Sequence, residues 1–477
     1  MNRLSLLALS FFAFFVLGGC GPKGPDITQF GLPDAAIARD LEILPQDIFV
    51  YAEKAGNRTK LLPPEEQAAQ DARFDANFFA PWNENMTYLP EDMAFEAVKN
   101  LSPQKGYAEN LRPWDTDRWQ ELIRNCGREQ YRAFPVTPAI TVDTVHVRRL
   151  PTEAPYFLDP AKAGEGFPFD YLQNSTLAIG TPVSIMHVST DSRWALVQTR
   201  LFSGWVKAEL LAATDRKFIA AWKARPLAAV VSERAALYVN PGKKDAVSGS
   251  LVREAHIGAV LPFAAESRET PPQKAPVVYL NVPVRGAEGK AVMGIALAGM
   301  YDVRKKPVPL TVENVARVGN AMMGQPYGWG GMFGQRDCSA MMRDLFTPFG
   351  IWLPRNSRQQ GTSGWRVLLD GLSPDAKDAR VMEKGVPFFS LVSMPGHVGL
   401  YLGSYILDGK ETPVMLHNIW GLRTVSGSGQ NQKSGRAIIG KAVITSLRPG
   451  AEHSVISSPA SLLDRIGGIV ILPPGQK

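Results

Sequence analysis

The sequence predicts an α+β fold of several domains, on three observations. The chain has 477 residues, which at about 150 residues per domain leaves room for roughly three. Between residues 136 and 305, short apolar runs are broken by Gly and Pro, the pattern of small β-barrels. Beyond residue 305, helical and alternating apolar patterns mix, and a cysteine and two histidines fall at the ends of elements. Hydrophobic residues make up 45% and charged residues 20% of the chain, which excludes a mainly disordered protein or a coiled coil. Leu4 to Leu17 is the one long apolar run, which excludes a multi-pass membrane protein. Net charge is +7, without a dense Lys/Arg block. Nucleic acid is therefore not an expected partner, and weak attraction to an anionic wall or membrane surface is the most the charge supports.

The N-terminus comes first. Arg3 precedes about fourteen mostly apolar residues, too short to span a bilayer comfortably but suited to a signal segment. The run ends in Leu17-Gly18-Gly19-Cys20, which resembles the lipobox of bacterial lipoproteins. The resemblance implies that residues 1–19 are removed, that Cys20 is lipidated, and that the protein is periplasmic and membrane-anchored. Gly21 rather than Asp after the cysteine favours the outer membrane. Two thiols remain, Cys126 and Cys338, enough for one disulfide at most. Cys126 reads as a buried structural thiol.

Residues 20–135 are rich in Pro, Asn, Asp and aromatics and lack regular strand patterns. They read as a partly helical clip packed on the rest. Trp114 to Arg124 is a candidate helix, with Trp119, Leu122 and Ile123 on one face.

Residues 136–213 read as a first barrel, from the strands 144–147, 177–183, 195–198 and 204–206. Their order resembles a bacterial SH3-like domain. A weaker second copy over 214–305 is expected from 236–239, 257–261 and 277–280. One larger β-domain is the alternative.

Residues 306–477 carry the chemistry. Thr311 is placed to cap a helix running to about Met323, with Val312, Val315, Val318 and Met322 as its apolar stripe. A tight turn, Tyr327-Gly328-Trp329-Gly330-Gly331, leads to Arg336-Asp337-Cys338-Ser339. Met341, Met342, Leu345, Phe346 and Phe349 then recur at helical spacing, and Gly350 closes the segment. Asp337 is thus a candidate N-cap, and Cys338 lies in the first helical turn. The helix dipole and a neighbouring imidazolium are expected to lower the thiol pKa, to as little as ~3.5 in known cases, and so to make a thiolate nucleophile. Residues 395–402 alternate as a strand bearing His397, and 414–419 alternate as a strand bearing His417, with a turn at Asp408-Gly409 between them. If 402 lies near 414, the two histidines become diagonal neighbours on one face. A slip of one residue would turn His417 away. His146, His187, His256 and His453 have no comparable setting and read as structural or surface residues. No H-x-x-x-H or C-x-x-C spacing occurs, so neither a metal nor a cofactor is expected.

These pieces resemble the NlpC-type family of papain-like bacterial cell-wall cysteine peptidases. The matching residues are 324–331, Asp337-Cys338-Ser339, Leu353-Pro354-Arg355-Asn356-Ser357 with Gln360, Gly396-His397-Val398-Gly399, and His417. An N-terminal clip and two SH3-like barrels before the peptidase resemble a narrower branch of that family. The resemblance implies Cys338 as nucleophile, His397 as general base and His417 as the orienting residue. It implies cleavage between D-γ-glutamate and a diamino acid in peptidoglycan stem peptides, with preference for a free N-terminal L-Ala. Asp337 would then meet the substrate ammonium, Tyr327 and Ser339 would line the substrate site, and Tyr171 would reach the cleft from the first barrel. Arg355 reads as a local structural ion pair. Asn356 stands where many relatives carry Asp, and the segment between the two histidines carries a hairpin insertion. A non-catalytic peptidoglycan-binding lipoprotein and an acyltransferase of the same fold are the competing readings.

Overall fold

The computed structural model describes residues 39–83, 86–133, 135–240, 251–264, 276–427, 433–453, 456 and 461–472. Cys20 and the signal segment lie outside the described residues.

The N-terminal clip is helical and shares each of its parts with a different neighbour. Helix α1 (Ile48–Ala55), capped by Asp47, sends Ile48, Tyr51 and Ala52 into the core of the C-terminal domain. Helix α2 (Pro64–Phe78), through Phe74, and the aromatics that follow it, Phe79 and Trp82, join a cluster with both barrels. Helix α3 (Thr116–Asn125) starts two residues later than the pattern suggests, because the Asp115 side chain accepts the Arg118 N–H and acts as the cap. Its Trp119 and Leu122 pack with Cys126 against Trp205 and Leu196 of the first barrel. Apolar area buried this way stabilises by about 25 cal/mol per Å², so the clip staples the other domains together.

The first barrel is a seven-stranded sheet of β1 (Thr137–Thr141), β2 (Val145–Arg148), β3 (Gln173–Leu177), β4 (Pro182–Val188), β5 (Trp194–Gln198), β6 (Ser203–Lys207) and β7 (Leu211–Ala213), in the order β3-β2-β6-β5-β4-β1-β7. The apolar run 177–183 is not one strand. It holds the end of β3, a turn at Gly180 with φ +80°, and the start of β4. A left-handed residue breaks a strand, and alternation alone does not reveal it.

The second barrel holds β8 (Leu227–Val230), β9 (Ala235–Asn240), β10 (Leu251–Ala255), β11 (Val260–Pro262), β12 (Val277–Arg285), β13 (Ala291–Gly299) and β14 (Val303–Lys305). They form a four-stranded sheet, β10-β9-β13-β12, and a three-stranded sheet, β11-β8-β14.

The C-terminal domain packs helices α4 (Val312–Ala321) and α5 (Cys338–Phe346) on one face of a six-stranded antiparallel sheet. Its strands are β15 (Trp365–Leu368), β16 (Ser390–Met394), β17 (His397–Leu407), β18 (Lys410–Ser426), β19 (Lys433–Ser446) and β20 (Gly468–Ile471), in the order β15-β20-β16-β17-β18-β19. Thr311 caps α4 by accepting the Asn314 N–H at 3.2 Å. The β17–β18 hairpin turns on Asp408 and Gly409, both at positive φ, as a two-residue turn requires.

Candidate active site

The site begins at the first turn of α5. The Asp337 side chain accepts the Ala340 N–H at 2.8 Å and caps the helix. This leaves Cys338 as the first helical residue, 6% exposed, with Val398, Leu400 and Met341 in the same apolar cluster. The preceding turn is glycine-rich for a steric reason. Gly330 has φ +59° and Gly331 φ +87°, and a Cβ on Gly330 would lie 2.5 Å from the Gln173 carbonyl of the first barrel. Gln173 Nε2 instead donates to Gly330 O at 2.9 Å, and Trp329 Nε1 donates to Asp170 O at 3.0 Å. The glycines thus let the barrel dock directly behind Cys338.

The second half of the site lies on two adjacent strands. Leu400 pairs with Leu416 and Tyr401 with Met415, the register in which His397 and His417 become diagonal neighbours. A bulge between Tyr401 and Gly403 absorbs the extra residue further along. His397 Nε2 lies 2.8 Å from His417 Nδ1. On the next strand His417 pairs with Val443, which puts Thr445 diagonal to it. His417 Nε2 lies 3.1 Å from Thr445 Oγ1, which also donates to Ser446 O at 2.7 Å. His397 opens β17, and the N–H of the next residue, Val398, hydrogen-bonds to the Cys338 thiol.

The charge states differ from the sequence expectation. Burial, and then the Asp337 carboxylate, push the Cys338 thiol up to about 12. Burial, and then the Arg465 charge, push His397 down to about 4. Burial holds His417 well below the usual imidazole range. These shifts favour a neutral thiol and neutral imidazoles over a preformed thiolate. The helix start does not prevail, because desolvation penalises the isolated charge more than a partial dipole favours it.

Asp337 is anchored more heavily than a cap requires. Arg355 donates Nη2 to Oδ2 at 2.6 Å and Nη1 to Oδ1 at 3.0 Å. Ser339 Oγ donates to Oδ1 at 3.0 Å, and the Gly330 N–H donates to Oδ2 at 3.1 Å. The Arg355 Nε donates to Ser175 Oγ of the first barrel at 2.7 Å. Burial opposes ionisation, yet the Arg355 charge and these donors hold the Asp337 carboxyl below the usual range. Five donors converge on this carboxylate, two of them from Arg355. Arg355 is the local ion pair expected from sequence, and its partner is Asp337. Tyr327 stays protonated through burial and the neighbouring Cys338 and Asp337, and its ring packs 6.1 Å from Trp420. Tyr171 is half-buried, 6.0 Å from the Trp329 ring, so it flanks the glycine turn.

Sequence reasoning missed Thr445, Ser175, Gln173 and Trp420. A Thr directly after the apolar run 442–444 was the one signal for Thr445, and it gains meaning only with the third strand's register. His146 Nδ1 lies 3.1 Å from Gln173 Nε2 at the edge of the site, whereas His187 and His256 stand apart from it: His187 Nε2 is 3.0 Å from Cys126 O, and His256 Nδ1 is 2.7 Å from Glu233 O. Cys126 is a free, fully buried thiol pushed up to about 12 by burial. Among the described residues no three His, Cys, Asp or Glu side chains are grouped to hold a metal ion.

A buried Cys at a helix start thus lies near a strand-borne His pair, and comparison with known proteins matches the same stretch of chain. Residues 324–433 match the NlpC/P60 family, residues 155–207 an SH3 domain of the SH3b1 type, and residues 9–131 the N-terminal NLPC_P60 stabilising domain. The C-terminal domain is thus similar to the NlpC/P60 family. Over 97 residues it is 35% identical to the γ-D-glutamyl-L-lysine dipeptidyl-peptidase of Bacillus subtilis (strain 168), a stretch that is 20% of this chain and 30% of that protein. The chain therefore spans less than a third of that curated relative. A solved NlpC/P60 endopeptidase from Photobacterium damselae subsp. piscicida is 26% identical, with TM-score 0.77, covering 91% of this chain and 98% of that one. An NlpC/P60 family protein from Bacillus cereus is 17% identical, with TM-score 0.45, covering 71% and 100% respectively.

Proposed function

We propose that this protein hydrolyses peptidoglycan stem peptides between D-γ-glutamate and the diamino acid, through a Cys338 acyl-enzyme. The observation that carries the reading is the buried His397–His417 contact of 2.8 Å beside the thiol at the start of α5. In this mechanism His397 takes the thiol proton as Sγ attacks the γ-glutamyl carbonyl. The N–H of Cys338, free at the helix start, stabilises the oxyanion. The C–N bond breaks, and His397 passes the proton to the leaving amine. Water then gives its proton to His397 as it attacks the thioester, which releases the γ-carboxylate and restores the thiol. His417 holds the ring of His397 throughout. The B. subtilis relative, named for a γ-D-glutamyl-L-lysine bond, supports the choice of bond. A free N-terminal L-Ala would bring its ammonium to the Asp337–Arg355 pair, with Ser339, Tyr327 and Tyr171 around it. Lipidation of Cys20 would hold the enzyme in the periplasm on a membrane, with the outer membrane favoured. Lipid labelling lost in Cys20→Ser checks that step.

The deciding experiment incubates the protein with L-Ala-γ-D-Glu-diaminopimelate and, separately, with intact sacculi, and follows products by mass spectrometry. Release of L-Ala-γ-D-Glu, abolished by Cys338→Ala, is expected. Cleavage of the free peptide alone would mean recognition of the amine, and cleavage of sacculi as well an open cleft. No Cys338-dependent cleavage of either overturns the reading in favour of a binding protein. Transfer to an added amine would identify an acyltransferase.

A further inference from the structure

We propose that Thr445 is a positioning residue whose hydroxyl sets the tautomers of both imidazoles and so leaves the base its lone pair; this rests on the peptidase reading. The Thr445 hydroxyl has one proton and two acceptors in reach, Ser446 O at 2.7 Å and His417 Nε2 at 3.1 Å. The shorter contact, to a carbonyl that can only accept, takes the proton. Thr445 Oγ1 then meets His417 Nε2 as an acceptor, so Nε2 carries the hydrogen. A neutral imidazole has one N–H, which leaves His417 Nδ1 bare. That atom accepts from His397 Nε2–H at 2.8 Å. His397 Nδ1 is consequently bare, as a group that must accept the Cys338 proton needs to be.

The opposite order is self-consistent and inactive. If Thr445 donated to His417 Nε2, His417 would donate from Nδ1 to His397 Nε2. His397 would then carry its hydrogen on Nδ1 and could take none from the thiol. The chain is sealed from solvent, with Thr445 and His417 0% exposed and His397 8%. Bulk water therefore does not scramble it, and the direction of one hydroxyl decides between the two orders. Valine matches threonine in shape and lacks that hydroxyl. In Thr445→Val the His417 Nε2–H would be buried without an acceptor. The flipped tautomer relieves this, and His397 follows.

The test uses the full chain labelled with ¹⁵N-histidine, read by long-range ¹H–¹⁵N correlation near pH 7. Wild type is expected to show Nε2–H on both rings, and Thr445→Val to show Nδ1–H on His397. Cleavage of the tripeptide by Thr445→Val should lose about 10³-fold or more in kcat, the scale of a wrong-tautomer triad, with KM little changed. Thr445→Ser keeps the hydroxyl and should restore both readouts. Nδ1–H on His397 in wild type overturns the proposal, and that spectrum decides even where Thr445→Val does not fold. Thr445→Val with kcat within about tenfold of wild type, or Thr445→Ser as slow as Thr445→Val, also overturns it. The spectra need no substrate, so a wild type that cleaves nothing refutes the peptidase reading and leaves the tautomer assignment to be judged separately.

Discussion

Arg355→Leu is the substitution whose consequence can be worked furthest. The Arg355 and Asp337 side chains are 9% and 11% exposed and meet at 2.6 Å. Removing the guanidinium leaves the carboxylate buried with three neutral donors, Ala340 N–H, Gly330 N–H and Ser339 Oγ. Breaking a buried pair from one side costs about 3–5 kcal/mol. The pH dependence follows from the shift. In wild type the Asp337 carboxyl is held below its usual range, so its stabilisation is present above the unfolded value of about 3.9 and lost as pH falls through the folded one. Without Arg355, burial dominates and the folded pKa rises above 3.9. The variant's penalty is then largest at pH 7 and shrinks as pH falls through that raised value toward about 4. Native-state hydrogen exchange of the amides from Met341 to Phe346 reads the opening of α5 without requiring the whole chain to unfold in one step. A loss under about 1 kcal/mol at pH 7, the size of an exposed pair, would refute the reasoning, as would a loss that does not change with pH. Asp337→Asn in the same background should recover part of the loss, because it removes the stranded charge.

Three further outcomes are expected. Gly330→Ala places a methyl 2.5 Å from Gln173 O at φ +59°, so backbone strain alone costs about 1–2 kcal/mol and the barrel must shift; unchanged unfolding and kcat/KM would show that the docking is looser than described. The acid limb of kcat/KM should lie near pH 4, because burial and Arg465 push His397 down to about 4, and Arg465→Gln should move that limb upward. A limb near 6.5 in wild type would contradict a desolvated base. Arg336→Met strands Glu233, which Arg336 Nη1 meets at 2.5 Å while its Nε holds Asp344 at 2.7 Å; about 3–5 kcal/mol should be lost, with faster proteolysis between the second barrel and the C-terminal domain as the readout.

The surroundings of Cys338 were largely legible because they are local. An N-cap acts over three residues, a helix stripe over ten, and a hairpin over twenty, so Asp337, the α5 stripe and the facing of His397 and His417 follow from spacing along one stretch of chain. Barrel strands were read less well: the run 177–183 hides the left-handed Gly180, and β4 continues to Val188 beyond it. Alternation reports which face a residue takes, not where the backbone turns.

By itself the sequence determined the helix that carries Cys338 and the strands that carry His397 and His417, because capping, periodicity and turn chemistry are short-range. Tertiary structure alone decided the electrostatics. Cys338 reads from sequence as a lowered thiol, and burial makes it a raised one. Asp337 reads as an N-cap, and Arg355, eighteen residues on, pairs with it while reaching Ser175 of another domain. Thr445 has no meaning until β19 settles against β18. Desolvation and cross-strand contact depend on what the rest of the chain places around a residue, and no spacing within its own segment encodes that.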